Sequence, residues 1–379
     1  MLYIAAKLDT RNIEAMSFKR PIDSLQIKGF KSIQSLDIEL KPMNVLIGSN
    51  GSGKSNFVSY FRMLSQLIEG RLTTWVNQQG GADRILTFGV KNTDKLTSKI
   101  NFQQNAYAFE LSSTVDDRLI FNYETGYFHN TNYAHPYSVG LQAGLSESVL
   151  KESKERIAQY CYEAISNWRI YHFHDTSNTA GMKRTGALHD NKYLRPDASN
   201  LAAFLYRLKH EHIECYESII DTIRLAIPFF DDFVLEPKAL PTEEVQIRLL
   251  WRQTNSDYEL WPSQLSDGSI RFICLVTALM QPEPPSTIIF DEPELGLHPY
   301  AIILLGALFR RASERMQVII STQSVALLNQ FNLDEIITVD RKNGHSIFKR
   351  LDEKQFSAWL DEYTIGELWE KNLLGGRPL

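Results

Sequence analysis

Residues Val45 to Ser55 read VLIGSNGSGKS, and no other stretch of the 379 residues restricts the fold as much. Gly48, four spacer residues, Gly53, Lys54 and Ser55 make the P-loop spacing, entered from an apolar run of Val45, Leu46 and Ile47. A backbone that wraps a triphosphate closely enough to aim N–H groups at its oxygens needs glycine at such points. Ser49, Asn50, Gly51 and Ser52 between them, and Asn56 after them, complete the expected cradle. Lys54 offers a charge to the β- and γ-phosphates, and Ser55 offers a hydroxyl to Mg²⁺. Apolar residues then recur at helical spacing (Phe57, Phe61, Leu64, Ile68), so a helix N-terminus also faces the anion. Strand, glycine loop and helix in that order predict an α/β chain that binds a nucleoside triphosphate with Mg²⁺.

The rest of the chain is read around that element. Leu25 to Phe30 and Ile33 to Leu40 alternate apolar and polar residues, as half-buried strands do. The stretch after the P-loop helix, Asn77 to Gly81, reads as a polar Gln/Gly-rich loop. Between Ser98 and His129, aromatic and β-branched runs broken by turn residues predict an antiparallel meander. Residues 146–168 have helical spacing, and Arg169 to His174 suggest another strand. The polar stretch 175–200, with Lys183, Arg184, Lys192 and Arg195, reads as a mobile, solvated loop with basic residues able to touch phosphate. Asn200 to Ile227 is helical up to Pro228, and Val245–Trp251 with Tyr258–Trp261 suggests a hairpin. The expected division is an extension at 1–20, an N-terminal ATPase lobe at 21–135, an inserted helical lobe with loops at 136–260, and a C-terminal ATPase lobe at 261–379.

Two carboxylates close a second buried run, Thr287 to Phe290, in the wording IIFDEP. At a strand end beside a P-loop this is a Walker B pattern: Asp291 for Mg²⁺, and Glu292 to orient and polarise the attacking water. Leu265-Ser266-Asp267-Gly268 precedes a strongly apolar helix, and a Ser-x-Gly turn there offers a hydroxyl and free N–H groups to an anion. Glu294 to Pro299 forms a turn before a helix, and Gln317 to Ser324 is a strand ending in polar residues, among them Gln323.

In this order the segments resemble an ABC-type ATPase head of the SMC/RecF/OLD branch. LQIKGFKSI and VLIGSNGSGKSNF are similar to its opening, IIFDEPELGLHP to its Walker B and D-loop, and YTIGELWEKNLLGGRP to the ending of stand-alone bacterial ATPases of that branch. The resemblance implies a P-loop NTPase of ABC/SMC-head type, with a mostly parallel core sheet, an antiparallel β lobe and an inserted helical lobe. It also implies a homodimer that sandwiches two ATPs, Ser266 and Gly268 of one head capping the γ-phosphate held by the other. Lys31 matches a basic position near the nucleotide. Gln323 stands where the switch histidine is usual; it can hydrogen-bond water or phosphate but cannot carry a proton, which points to slow or partner-activated turnover. Gln79 and the His174–Asp175 segment are alternative Q-loop positions.

No heptad arm separates the P-loop from the signature, and no Toprim nuclease follows the switch, so the chain reads as a bare ATPase module. The resemblance then implies pairing with a separately encoded effector, a nuclease or Toprim-like protein, in anti-phage defence. The alternatives are a RecF-like DNA repair or recombination ATPase and a weakly hydrolysing ATP-bound scaffold. A net charge of −5 provides no global basic field, so nucleic acid could be met only through a local patch. Three scattered cysteines (Cys161, Cys215, Cys274), the absence of a long apolar run and the lack of a signal-peptide pattern point to a cytoplasmic protein with no membrane segment.

Overall fold

A computed structural model describes residues 20–129, 132, 135–360 and 362–376; the expected extension at 1–20 falls almost entirely outside them. Two six-stranded sheets organise the chain. The core sheet runs in the order His345–Arg350, Ile336–Lys342, Met43–Ile47, Gln317–Thr322, Thr287–Asp291, Arg169–Tyr171. Its pairs are parallel except for the first, an antiparallel hairpin at the edge. The second sheet is antiparallel throughout, in the order Ile33–Glu39, Ser24–Phe30, Lys95–Phe102, Asn105–Ser113, Leu119–Phe128, Tyr137–Gln142.

The two sheets differ in wording for a physical reason. In the core sheet, MNVLI, TIIFD and QVIIST are buried at every position, as strands covered on both faces must be. Alternate residues serve different cores. Val45, Ile47, Ile288, Phe290, Val318 and Ile320 pack toward helices Leu201–Glu211, Asp267–Met280 and Pro299–Ser313, whereas Leu46, Ile289, Ile319 and Ile337 pack toward the P-loop helix Lys54–Ile68 and the antiparallel sheet. In the antiparallel sheet only one face is fully covered, and Lys95–Phe102 keeps a clean alternation of buried and less buried positions.

The structure redraws several of the sequence expectations. The polar stretch after the P-loop helix is itself a helix, Leu72–Gln79, ended by Gly80 and Gly81 at φ 93° and 94°. Helix 146–168 begins only at Arg156, because Glu147 accepts from Leu72 N and Thr73 N while Glu124 accepts from Val149 N. The long helix from Asn200 divides at His212 into Leu201–Glu211 and Ile213–Ala226. The expected hairpin strand 245–251 splits between two small three-stranded sheets, as Val245–Ile247 and Leu250–Gln253.

The largest difference is at 175–200, which is irregular but docked rather than solvated throughout. Met182, Leu194 and Ala198 are buried in the core, and the Asn200 side chain donates to Asp190 O and Tyr193 O and accepts from Arg195 N. The Lys183 side chain is 4% exposed, with its amine on Thr176 O and Asp267 Oδ1. That amine is therefore engaged with the protein and not presented to a phosphate backbone. Among the described residues no helix is long and apolar enough to cross a membrane.

Candidate functional site

Strand register brings the chemistry together. Asp291 pairs with Ser321 and Ser321 with Leu46, so the Walker B carboxylate, the switch strand and the last turn before Gly48 end at one level. These are the carboxyl ends of parallel strands, where open α/β sheets bind ligands.

The P-loop is shaped by close approach. A Cβ on Gly48 would lie 2.3 Å from Val339 O, and Gly53, at φ 116°, faces Ser346 Oγ too closely for any side chain. Lys54 is buried and donates to Gly48 O at 2.6 Å and Ser49 O at 3.0 Å. Burial lowers its pKa, an effect the nearby charges of Glu292, Asp291 and Glu294 oppose. Gly51 at φ 76° and Asn50 lie on the exposed turn, and Ser55 is open to solvent at the start of the helix. Asn56 Nδ2 donates to Ser32 Oγ, which is itself bonded to Ser346 Oγ.

Asp291 and Glu292 diverge at the strand end. Asp291 is 9% exposed, and its Oδ1 is buried with no hydrogen-bond partner; Ser52 Oγ and Ser321 Oγ are also buried without one. Orphaned buried oxygens are costly unless a ligand satisfies them, and here one is a carboxylate oxygen and another belongs to the P-loop. The donor set fits Mg²⁺ together with a nucleotide. That ion takes few protein ligands and draws the rest from phosphate and water.

Glu292 sits at φ 45°, a left-handed pose that costs a non-glycine residue about 1–2 kcal/mol. Its N–H bonds Ser321 O at 2.7 Å, and its carboxylate accepts from the Gln323 side-chain amide. Glu294, which sequence reasoning passed over as part of a turn, braces that arrangement: its Oε1 accepts from Thr322 Oγ1 and from Gln323 N at 3.2 Å. Burial raises the Glu294 pKa. The only signal for it was a second carboxylate two residues past Glu292, too short a spacing to assign a role.

Of the two Q-loop positions, His174 is at the site and Gln79 is not. The edge strand Arg169–Tyr171 pairs with the Walker B strand, and Asp291 O, which can only accept, takes a hydrogen bond from His174 Nε2 at 2.9 Å. His172 lies against His174 with centroids 4.0 Å apart and the rings tilted by 46°, and burial, then the His174 and Arg62 charges, push its pKa down to about 4. Gln79 instead accepts from Lys31 Nζ, which also donates to Ser59 Oγ at 2.7 Å on the P-loop helix. Lys31 has φ 47° and a pKa lowered by burial and then by Arg62.

At the signature, Ser266 is exposed and caps helix Asp267–Met280 by accepting from Ser269 N at 3.1 Å. Gly268 backs onto the D-loop so closely that a Cβ would lie 2.3 Å from Gly296 O. Arg271, also passed over in the sequence, ties the segments together. Its guanidinium donates to Phe173 O, His174 O and Leu295 O, linking the signature helix to the Q-loop segment and the D-loop. A lone arginine in an apolar helix was the available signal. Replacing it in Arg271→Met strands three carbonyls, that of Phe173 in a buried place, and the expected loss is about 1–3 kcal/mol of stability, read as a lower urea midpoint. An unchanged midpoint would show that the three contacts carry no weight.

Residues 43–329, most of the chain, match the family described as "AAA domain, putative AbiEii toxin, Type IV TA system". No curated protein matches the sequence. Similar solved structures include an SMC head bound to the C-winged helix domain of ScpA, at 15% identity and TM-score 0.59, covering 88% of this chain and 99% of that one. Another is an Smc head domain with an extended coiled coil bound to the C-terminal domain of ScpA, derived from Pyrococcus furiosus, at 14% identity and TM-score 0.56, covering 90% and 99%. At such identities the likeness shows the fold, a P-loop NTPase of SMC-head type. With three quarters of its length matched, the chain belongs to this AAA-domain family.

Proposed function

We propose that the protein binds and hydrolyses ATP with Mg²⁺ in a two-copy site and uses that cycle to control a separately encoded effector in anti-phage defence. The observation that carries the reading is the meeting of Lys54, Asp291, Glu292 and Gln323 at the ends of three adjacent strands. Lys54 and the P-loop N–H groups hold the phosphates, while Ser55 and Asp291 hold the metal. When bound, Mg²⁺ neutralises charge on the phosphate oxygens. Glu292 orients the attacking water, and Gln323 positions the Glu292 carboxylate through its side-chain amide. Gln323 donates a hydrogen bond but takes no proton, which suits slow turnover that a partner could speed.

In this reading, Ser266 and Gly268 meet the nucleotide of a second copy, because the signature faces solvent next to the D-loop. ATP then favours the paired state by binding it better than the single one. Residues 21–135 and 261–379 make most of the ATPase unit, joined by the strands Tyr137–Gln142 and Arg169–Tyr171, and the remainder of 136–260 acts as an inserted lobe. The defence role is supported by the family description, which names an AbiEii toxin and a type IV TA system. That an SMC head of similar fold was solved bound to a domain of ScpA supports a separate protein partner here.

The test compares wild type with Lys54→Ala. Wild type is expected to release phosphate from ATP and the variant to bind and hydrolyse none; equal rates in the two would remove the nucleotide reading. Cells carrying the gene with its genomic neighbour are expected to resist phage, and Lys54→Ala to lose that resistance. Undiminished resistance in the variant would reject the defence role while leaving the hydrolysis result standing.

A further inference from the structure

The carboxy-terminal wording that stood out in the sequence leads to the P-loop. Helix Ile365–Glu370 packs on the short helix Val325–Leu328 that follows Gln323 and Ser324. Gly366 N donates to Asn329 Oδ1 at 2.7 Å, and a Cβ at 366 would lie 2.4 Å from Val325 Cγ1. Leu368, Trp369 and Leu374 are anchored in the core. The chain then passes through Gly375 and Gly376, at φ 81° and 83°. Gly376 N donates to Asp340 Oδ1 at 2.7 Å, and Gly376 O accepts from Ser49 N at 2.7 Å. A Cβ on Gly376 would lie 3.3 Å from Ile47 O and 3.4 Å from Gly48 Cα, a tight fit, and the backbone angle is one that favours glycine.

We infer that Gly376 and Asp340 are positioning residues of the nucleotide site, holding the first turn of the P-loop in its phosphate-ready shape from outside the loop. Lys54 also braces that turn from inside, through Gly48 O and Ser49 O. A triphosphate needs the same amine, and once Lys54 turns to phosphate the inner brace is lost. Three outer contacts stay: Gly376 O on Ser49 N, Arg341 Nη1 on Gly51 O at 3.2 Å, and Ser346 Oγ on Ser52 O at 2.6 Å. Of these, only the Gly376 contact holds the first turn. A loop that stays ordered when its lysine leaves does not charge the cost of ordering to ligand binding. Asp340 fixes the Gly376 peptide from the strand beside the P-loop strand, so carboxylate, tail and loop form one relay.

The inference rests on the nucleotide reading, and the experiment separates the two. ATP affinity and steady-state kinetics are measured for wild type, Lys54→Ala, Gly376→Val, Asp340→Leu and Asp340→Asn, with thermal unfolding of each nucleotide-free protein alongside. Gly376→Val and Asp340→Leu are expected to raise Kd and KM for ATP about tenfold, the effect of one well-placed hydrogen bond. Their kcat at saturating ATP stays near wild type, and so does the unfolding midpoint of Asp340→Leu, whereas Gly376→Val unfolds at a lower midpoint because valine is strained at φ 83°. Asp340→Asn, whose amide oxygen still accepts from Gly376 N, binds like wild type. Deleting residues 375–379 removes the contact without adding bulk and gives the same loss, which covers the case in which Gly376→Val fails to fold. Wild-type affinity in the deletion, or equal weakening by Asn and Leu at 340, overturns the inference while Lys54→Ala still loses ATP. Should wild type bind no ATP, or Lys54→Ala bind it unchanged, the nucleotide reading falls and the positioning role with it.

Discussion

Glu292→Gln is expected to lower the rate of ATP hydrolysis by about 10²–10⁴-fold, the range for removing a positioned general base, while ATP still binds. The expectation follows from how little else the substitution disturbs. Glutamine keeps the length of the side chain, the Ser321 O contact is made by the backbone, and Glu294 continues to hold Thr322 and Gln323 N. What changes is the charge that faces the attacking water. Lys54 also loses one of the charges that oppose the lowering of its pKa by burial, but Asp291 and Glu294 remain. The variant should therefore accumulate ATP-bound pairs, visible by light scattering. Phosphate release at the wild-type rate would remove Glu292 from the chemistry.

The second large effect is on association. Ser266→Arg is expected to bind ATP as wild type does and to stay a single copy at every ATP concentration that pairs the wild type. Ser266 is exposed, and its own bonds run to Ser269, so a long charged side chain there can project outward without entering the core. The substitution does remove a helix cap, worth about 0.5–2 kcal/mol. Ser266→Ala removes the same cap without adding bulk, so the comparison of Arg with Ala isolates the interface. ATP-dependent pairing of Ser266→Arg equal to that of wild type would refute capping by a second copy.

The parts of the site that were legible in the sequence are those written as consecutive letters. Gly48 to Ser55 and Ile288 to Glu292 each place a strand end and its functional side chains within a few residues, so periodicity and composition locate them directly. His174 was harder to place because the strand that carries it to Asp291 is three residues long and too short to show a period. Arg271 and Glu294 act through partners far away in the chain, and nothing near them in the sequence names those partners. The docked stretch 175–200 was misread for a related reason. Its buried residues Met182, Leu194 and Ala198 follow no helical or strand spacing, and what holds the segment is the side chain of Asn200 satisfying backbone groups. The antiparallel meander was plain because a sheet with one fully covered face repeats its pattern every second residue. The Gly375–Gly376 pair was visible as wording but not as contact, since its partners Ser49 and Asp340 come from distant parts of the chain, the P-loop and the strand Ile336–Lys342.

The left-handed backbone at Glu292 has an evolutionary corollary. Glycine is the residue that would relax that pose, and it is also the residue that would leave water without its carboxylate. Selection for robustness and selection for turnover therefore oppose each other at one position. A lineage of this family released from the need to hydrolyse should drift there first, so the identity of residue 292 serves as a record of whether a given head still works as an engine.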